Sequence, residues 1–504
     1  MVSTPAPPGR ARRLAAAALE EMGIAALARA RPDTKLLMVQ RFVRMAAYGS
    51  STLVLLPHLR ALGASEARCG VFLSLTLAGD TLLSLLLTLV ADALGRRAVL
   101  AAGAAVMALS GLAFALSGSY WVLLAAAVLG VISPTANETG PFRSIEESVV
   151  AQLTAPADRA DVYAWYKLLG LLAVAIGMAG GGWLVQLLQD RGWSEVAAYQ
   201  AIFAGYAACG AVKFVMCLFL SSRSEAQPDD HGGHNEAEGE REPLLGAQGE
   251  GRADAAGPQQ QQQEQRQPPK PRRKGLLALL PEIGRESRIV IINLCLLFSL
   301  DSFASSLVSV SWISYFFKSR HGLEPGALGS IFSITSFISA ISILVATSLA
   351  RRIGNINTMV FTHLPSSVFL ALIPLGPLHL ALFFLIARHC TASMDVGPRS
   401  AFLAAIVLPS ERTAVLGILN TTKTMSQSLG PLITGVLADR GFFWVAFVLA
   451  GSLKASYDIG LLVLFKNHER EKAELERLLE GADGNESAGE NGGHRGGPGA
   501  AERA

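Results

Sequence analysis

The chain has 504 residues, 51% of them hydrophobic and only 16% charged, with a formal net charge of +3. A mean hydropathy of +0.38 excludes a string of soluble domains, and basic residues gathered at the edges of apolar runs argue against a nucleic-acid partner. The five cysteines (Cys69, Cys209, Cys217, Cys295 and Cys390) lie far apart without a Cys-x-x-Cys pair, so buried inert thiols are expected rather than a disulfide framework or a zinc site.

The polar opening carries Arg10, Arg12 and Arg13, and Ala15–Ala18 is too short for the apolar core of a signal peptide. Residues 1–36 therefore read as a cytoplasmic amphipathic tail. Six apolar spans follow, at roughly 37–59, 69–91, 98–117, 121–153, 162–188 and 196–220. Runs such as Val71–Ala91 and Ala98–Leu116 match a hydrocarbon core of about 30 Å. Backbone in lipid must satisfy its own hydrogen bonds, which makes these spans helices, and no period-two alternation suggests a barrel.

Residues 221–287 break the pattern with Asp, Glu, Gly, Pro and the run Gln259–Gln263, as expected of a disordered connector. Six more spans come at roughly 288–317, 327–350, 357–377, 379–408, 413–438 and 443–465. Residues 466–504 form a second tail, beginning with a short amphipathic helix over Lys466–Glu480. An even number of spans puts both termini on one side. The basic N-terminal tail and Lys270, Arg272, Arg273 and Lys274 make that side the cytoplasm.

The two sets of six repeat one another. Gly63, Gly70 and Gly95 stand 7 and 25 positions apart, and Gly322, Gly329 and Gly354 repeat those intervals 259 positions later. Each copy places a basic pair beside its last glycine, Arg96-Arg97 and Arg351-Arg352. Gly140-Pro141-Phe142-Arg143 is echoed by Gly397-Pro398-Arg399. Duplicated hydrophobic halves are a transporter architecture, with the substrate site between the repeats.

Six plus six helices with a long connector resemble the major facilitator superfamily. The sharpest match is Asp92-Ala93-Leu94-Gly95-Arg96-Arg97, which is similar to that family's loop motif between the second and third helices. Thr88 replaces the motif's leading glycine, and Arg351 stands where the second copy would carry its acid. The resemblance implies an all-α membrane protein of twelve transmembrane helices in two pseudo-symmetric bundles. It also implies a gating role for Asp92, Gly95, Arg96 and Arg97 at the cytoplasmic side. In local style the chain resembles uncharacterised fungal or plant-type members.

An ionisable residue inside a span costs at least ~2.5–3.5 kcal/mol, so each one is a candidate for function. Asp395 and Arg399 are four apart on the tenth span and face each other. Glu138 and Arg143 are five apart on the fourth, about 140° around an ideal helix, so Arg143 is expected to meet Glu146 or another helix. Pro141 and Pro398 should loosen the backbone beside these charges. Asp80 and Asp301 are candidate proton carriers. Arg44 lies deep in the first span, whereas Arg41 is placed to snorkel. Tyr163, Trp165, Tyr166 and Lys167 read as interfacial anchors. Asn420, Lys423, Thr424 and Gln427 share one polar face of the eleventh span, suited to a wet cavity. Gly177–Gly182, Gly430 and Gly435 read as sites of close helix packing.

The expected function is secondary active transport of a small solute by alternating access, driven by protons, in a monomer needing no metal or cofactor. No nucleotide-binding loop or intramembrane catalytic dyad is present in the sequence, so an ATP-driven pump and an enzyme are both disfavoured. A different class is a non-transporting sensor or lipid-handling protein that works through the connector and tail. No address tag separates the plasma membrane from a vacuolar or organellar one.

Overall fold

The structure is a computed structural model that describes residues 24–136, 142–225, 285–407 and 412–465. Helices run in chain order as α1 (Ile24–Arg29), α2 (Pro32–Ala61), α3 (Glu66–Leu94), α4 (Arg96–Leu116), α5 (Tyr120–Val128), α6 (Phe142–Leu153), α7 (Arg159–Asp190) and α8 (Glu195–Leu218). The second half supplies α9 (Arg285–Leu307), α10 (Val310–His321), α11 (Pro325–Ile353), α12 (Asn355–Leu372), α13 (Leu378–Thr391), α14 (Val396–Ile406), α15 (Arg412–Asp439) and α16 (Phe443–Phe465). Eight stretches among the described residues are long and apolar enough to cross a membrane. The other four expected spans are present as helix in α2, α3, the α5–α6 pair and α15. Large apolar side chains stand exposed around the outside, among them Leu86, Leu109, Ile176, Ile341, Phe383 and Val463, as an apolar solvent requires.

Three spans expected to be continuous are broken. The fourth leaves the helix after Val128 and stays irregular over 129–136, the seventh breaks at Val308–Ser309 and the tenth between Thr391 and Val396. Irregular backbone survives at membrane depth only where other groups satisfy it. The Thr52 hydroxyl donates to the Ser133 carbonyl at 2.6 Å, Ser311 to that of Pro134 at 2.8 Å, and Tyr206 to that of Val131. At the seventh break Thr434 donates to the Leu307 carbonyl at 2.6 Å. Pro398 falls in the first turn of α14, where its missing N–H leaves no gap, so it starts a helix rather than weakening one.

The glycine repeat has a structural cause. Gly63 and Gly322 (φ +86° and +65°), and Gly95 and Gly354 (φ +89° and +86°), all take left-handed backbone at helix ends. The middle glycines join the two halves. A Cβ on Gly70 of α3 would stand 2.6 Å from the Pro431 carbonyl oxygen and 2.8 Å from the Gly435 Cα on α15. Its copy Gly329 on α11 packs in the same way against Gly182 of α7.

The core is divided accordingly. One buried cluster runs from first-half residues such as Leu55, Phe72 and Phe203 into Trp312, Phe316, Phe332 and Phe447 of the second half. Another, around Phe298, Met359, Phe402, Leu419 and Tyr457, belongs to the second half alone and lies toward the end bearing Arg351 and Arg352. The halves are thus fused at the end opposite the arginine pairs.

The chain after α8 departs from the expected connector at its start. Ser222–Ser224 form a short 3-10 turn, and the Ser221 amide donates to Asp33 at 3.0 Å. The glutamine run, the tail over 466–504 and the first 23 residues lie outside the described residues.

Candidate functional site

Each half buries one cluster of charge. In the first, Glu146 of α6 is fully buried and takes three donors. Arg44 Nη2 of α2 lies 2.7 Å from it, Lys213 Nζ of α8 2.6 Å, and the Tyr166 hydroxyl of α7 donates at 2.6 Å. Phe142 roofs the two cations, 4.9 Å from the Arg44 guanidinium and 4.3 Å from the Lys213 ammonium. Four helices thereby meet at one carboxylate.

In the second half, Asp301 of α9 holds the centre. Lys454 Nζ of α16 lies 2.7 Å away, Arg399 Nη2 of α14 3.2 Å and His363 Nε2 of α12 3.9 Å. Arg399 also pairs with Asp395, as their spacing requires. His363 turns its Nδ1 to Asp458 of α16 at 2.9 Å, and Ser367 donates to the same carboxylate at 3.4 Å. The two clusters use equivalent spans, the first, fourth and sixth in one half and the seventh, tenth and twelfth in the other. Their signs are exchanged on two of the three: Arg44 and Glu146 answer to Asp301 and Arg399, while Lys213 and Lys454 keep their charge.

Several expectations are corrected. Glu146 does not meet Arg143 but faces Arg44 and Lys213, and Arg143 pairs with Glu147, one helical turn on, at 3.1 Å. Arg41 does not snorkel: it is buried and its guanidinium stacks 3.8 Å over the Tyr166 ring. Tyr166 is an interior hydrogen-bond donor, not an interfacial anchor. Cys390 is exposed, unlike the buried Cys69 and Cys217. Glu138 lies outside the described residues, as does the side chain of Asp92. Asp80 is half-buried on α3. Lys423 and Gln427 are half-buried on α15, the Lys423 ammonium 5.8 Å from the Phe298 ring.

Sequence reasoning missed Lys213, His363, Lys454 and Asp458. Each is a titratable residue inside an apolar span, the same signal that singled out Asp301.

Side-chain contacts between the halves gather at the fused end. The Trp183 indole N–H donates to Ser330 at 2.9 Å, Gln186 to Glu324 at 2.6 Å, and the Tyr315 hydroxyl to Glu66 at 2.6 Å. The Leu432 amide donates to Ser74 at 2.9 Å, and Lys318 pairs with Glu195.

Two duplicated helical halves, a buried charge cluster in each and broken spans beside them place the chain among known proteins. The family model of the Major Facilitator Superfamily matches residues 37–387 and 294–483. The chain belongs to that superfamily. An uncharacterised membrane protein of Saccharomyces cerevisiae is 34% identical over 437 residues, covering 86% of this chain and 94% of that one. Similar solved structures include a mutant of the nucleoside transporter NupG, with TM-score 0.63 and 15% identity over 86% of this chain and 100% of that chain. A D-xylose-proton symporter gives 0.60 and 12%, over 84% and 96%. A bacterial homologue of the iron transporter ferroportin, in an inward-facing state, gives 0.59 and 13%, over 85% and 98%. The chain is an integral multi-pass membrane protein of a solute-transporter superfamily.

In this member of the superfamily the loop motif is tied down from within its own half. The Glu225 carboxylate accepts the backbone N–H of Arg96 at 2.6 Å and of Arg97 at 3.4 Å, capping the positive end of α4. Arg96 Nη1 donates to Gln152 at 2.8 Å, and Gln152 in turn donates to the Glu225 carbonyl at 2.9 Å. Glu225 was not foreseen, because it stands in the stretch expected to be disordered.

Proposed function

We propose that the protein is a secondary active transporter of a small solute, working as a monomer by alternating access and driven by a proton gradient. The observation that carries this reading is the pair of buried charge clusters beside broken spans, in halves whose contacts among the described residues gather at one end. Basic loops put the arginine-pair end and both termini in the cytoplasm, so the sealed end faces outward and the described state faces inward. Rocking about the fused end would open the other route while each cluster keeps its own half rigid. Asp301, with His363 and Asp458 beside it, joins Asp80 and Glu138 as a site for the coupling proton.

The test is metabolite profiling of sealed vesicles carrying the protein, with and without a protonophore. One class of small solute should accumulate, and the protonophore or Asp301→Asn should abolish the accumulation. Vesicle contents indistinguishable from empty controls would end the transporter reading. Accumulation untouched by the protonophore would end only the proton coupling.

A further inference from the structure

Arg44, Lys213, Arg399 and Lys454 each stand inside a span with a carboxylate no more than 3.2 Å away. Such pairs hold helices together and offer little to an arriving solute.

Arg388 of α13 is placed otherwise. It is half-buried in the tenth span, and its side chain makes no ion pair or hydrogen bond among the described residues. Its Nε is shut from solvent without an acceptor. The charge of Asp301 reaches Arg388, but that carboxylate is already held by Lys454 at 2.7 Å and Arg399 at 3.2 Å.

The helix geometry keeps this guanidinium from both lipid tails and headgroups. Ala381 and Leu385, seven and three residues earlier on the same face, are fully buried, whereas Phe383 and Ile386 on the opposite face are exposed. The stretch able to cross the membrane runs over Leu378–Leu403, so Arg388 lies about 15 Å of helix from its nearer end, near the middle of a hydrocarbon core. The duplication also sets it at the level of a break. Arg388 stands nine positions before Gly397 as Val131 stands nine before Gly140, and Val131 lies in the irregular stretch 129–136 of the fourth span. Interrupted helices near the midplane are where transporter solutes bind.

A cation without a partner at this depth is costly, and an anion beside it offsets the cost. The guanidinium adds a planar fork of N–H donors that matches the paired oxygens of a carboxylate or phosphate. Resting on the transport reading above, we propose that Arg388 is a binding residue for the transported solute and holds it through a carboxylate or phosphate group.

The test uses the purified full chain and a water-soluble metabolite extract of yeast, split on an anion-exchange resin into a retained, anionic fraction and a neutral and cationic flow-through. Both fractions are brought to the same conductivity. The retained fraction should raise the melting temperature of the wild type. Arg388→Gln should require on the order of tenfold to a hundredfold more of it for the same shift. Arg388→Lys, which keeps the charge but not the fork, should fall between them. Without extract, Arg388→Gln should melt no lower than the wild type, because no pair is broken, whereas Arg399→Gln, which strands Asp395, should melt lower. An unliganded Arg388→Gln that melts as low as Arg399→Gln would make Arg388 a structural residue and overturn the proposal. Stabilisation by the flow-through alone, or a retained-fraction response equal in wild type and Arg388→Gln, would overturn it and leave the transporter standing. No response to either fraction would count against both.

Discussion

Glu146 and Arg143 lie three positions apart on one short helix, yet burial gives them opposite roles. Glu146 is shut away from water with two cations and a phenol upon it, whereas Arg143 reaches into solvent. Removing one partner of a buried ion pair typically costs about 3–5 kcal/mol, because the remaining charge stays buried and uncompensated. Glu146→Gln strands two cations, and Lys213→Met strands none, since Arg44 still neutralises the carboxylate. Thermal unfolding in detergent should therefore rank Glu146→Gln well below Lys213→Met. Arg143→Gln should lie near the wild type, since an exposed pair is worth only about 0–1 kcal/mol. Equal melting temperatures for the three variants would mean that the Glu146 cluster does not hold the first half together.

At the scale of elements, the small-residue run in α7 serves two faces. Gly177 and Gly181 let α2 approach, through Ala46 and Ser50, while Gly182 meets Gly329 across the halves and Gly180 has open space beside it. Gly182→Leu should wedge the fused end apart. A cysteine placed at Ser330, beside the same seam, should then react faster with a membrane-impermeant maleimide. Gly180→Ala should leave that rate unchanged and, by removing a helix-interior glycine, shift stability by no more than about 1 kcal/mol. The seam would not be the closed gate if the two variants labelled alike.

For the whole molecule, alternating access requires the fused end to part. The Trp183–Ser330 contact bridges the halves there, with indole and hydroxyl 2.9 Å apart. In a background lacking the five native cysteines, Trp183→Cys with Ser330→Cys should cross-link on oxidation. Solute flux should fall to the level of empty vesicles and return on reduction. Full flux through fully cross-linked protein would show that this end never opens.

The twelve stretches of apolar sequence, the duplication and the pairing of Asp395 with Arg399 were legible in the chain, because hydropathy, repeat spacing and i,i+4 geometry are local properties. Local pattern also marked Gly70 and Gly329 as special, though not that each packs on a glycine of the opposite half. The break at Val308–Ser309 was not legible, since no proline or glycine marks it. Pro134 and Pro141 hinted at a loosened fourth span without showing that the irregular stretch begins as early as Leu129. What stabilises an unwound carbonyl is a hydroxyl from a distant helix, such as Thr52 for Ser133. Which charges are sealed and which remain exposed was likewise decided only by tertiary structure. A lone Lys213 or Asp458 in a span reads only as a charge in an apolar run, and its partner is 67 or 95 residues away. Sequence by itself determined that ionisable groups stand inside the membrane, whereas packing determined which were neutralised, because compensation depends on distance in space and dielectric surroundings rather than on order along the chain.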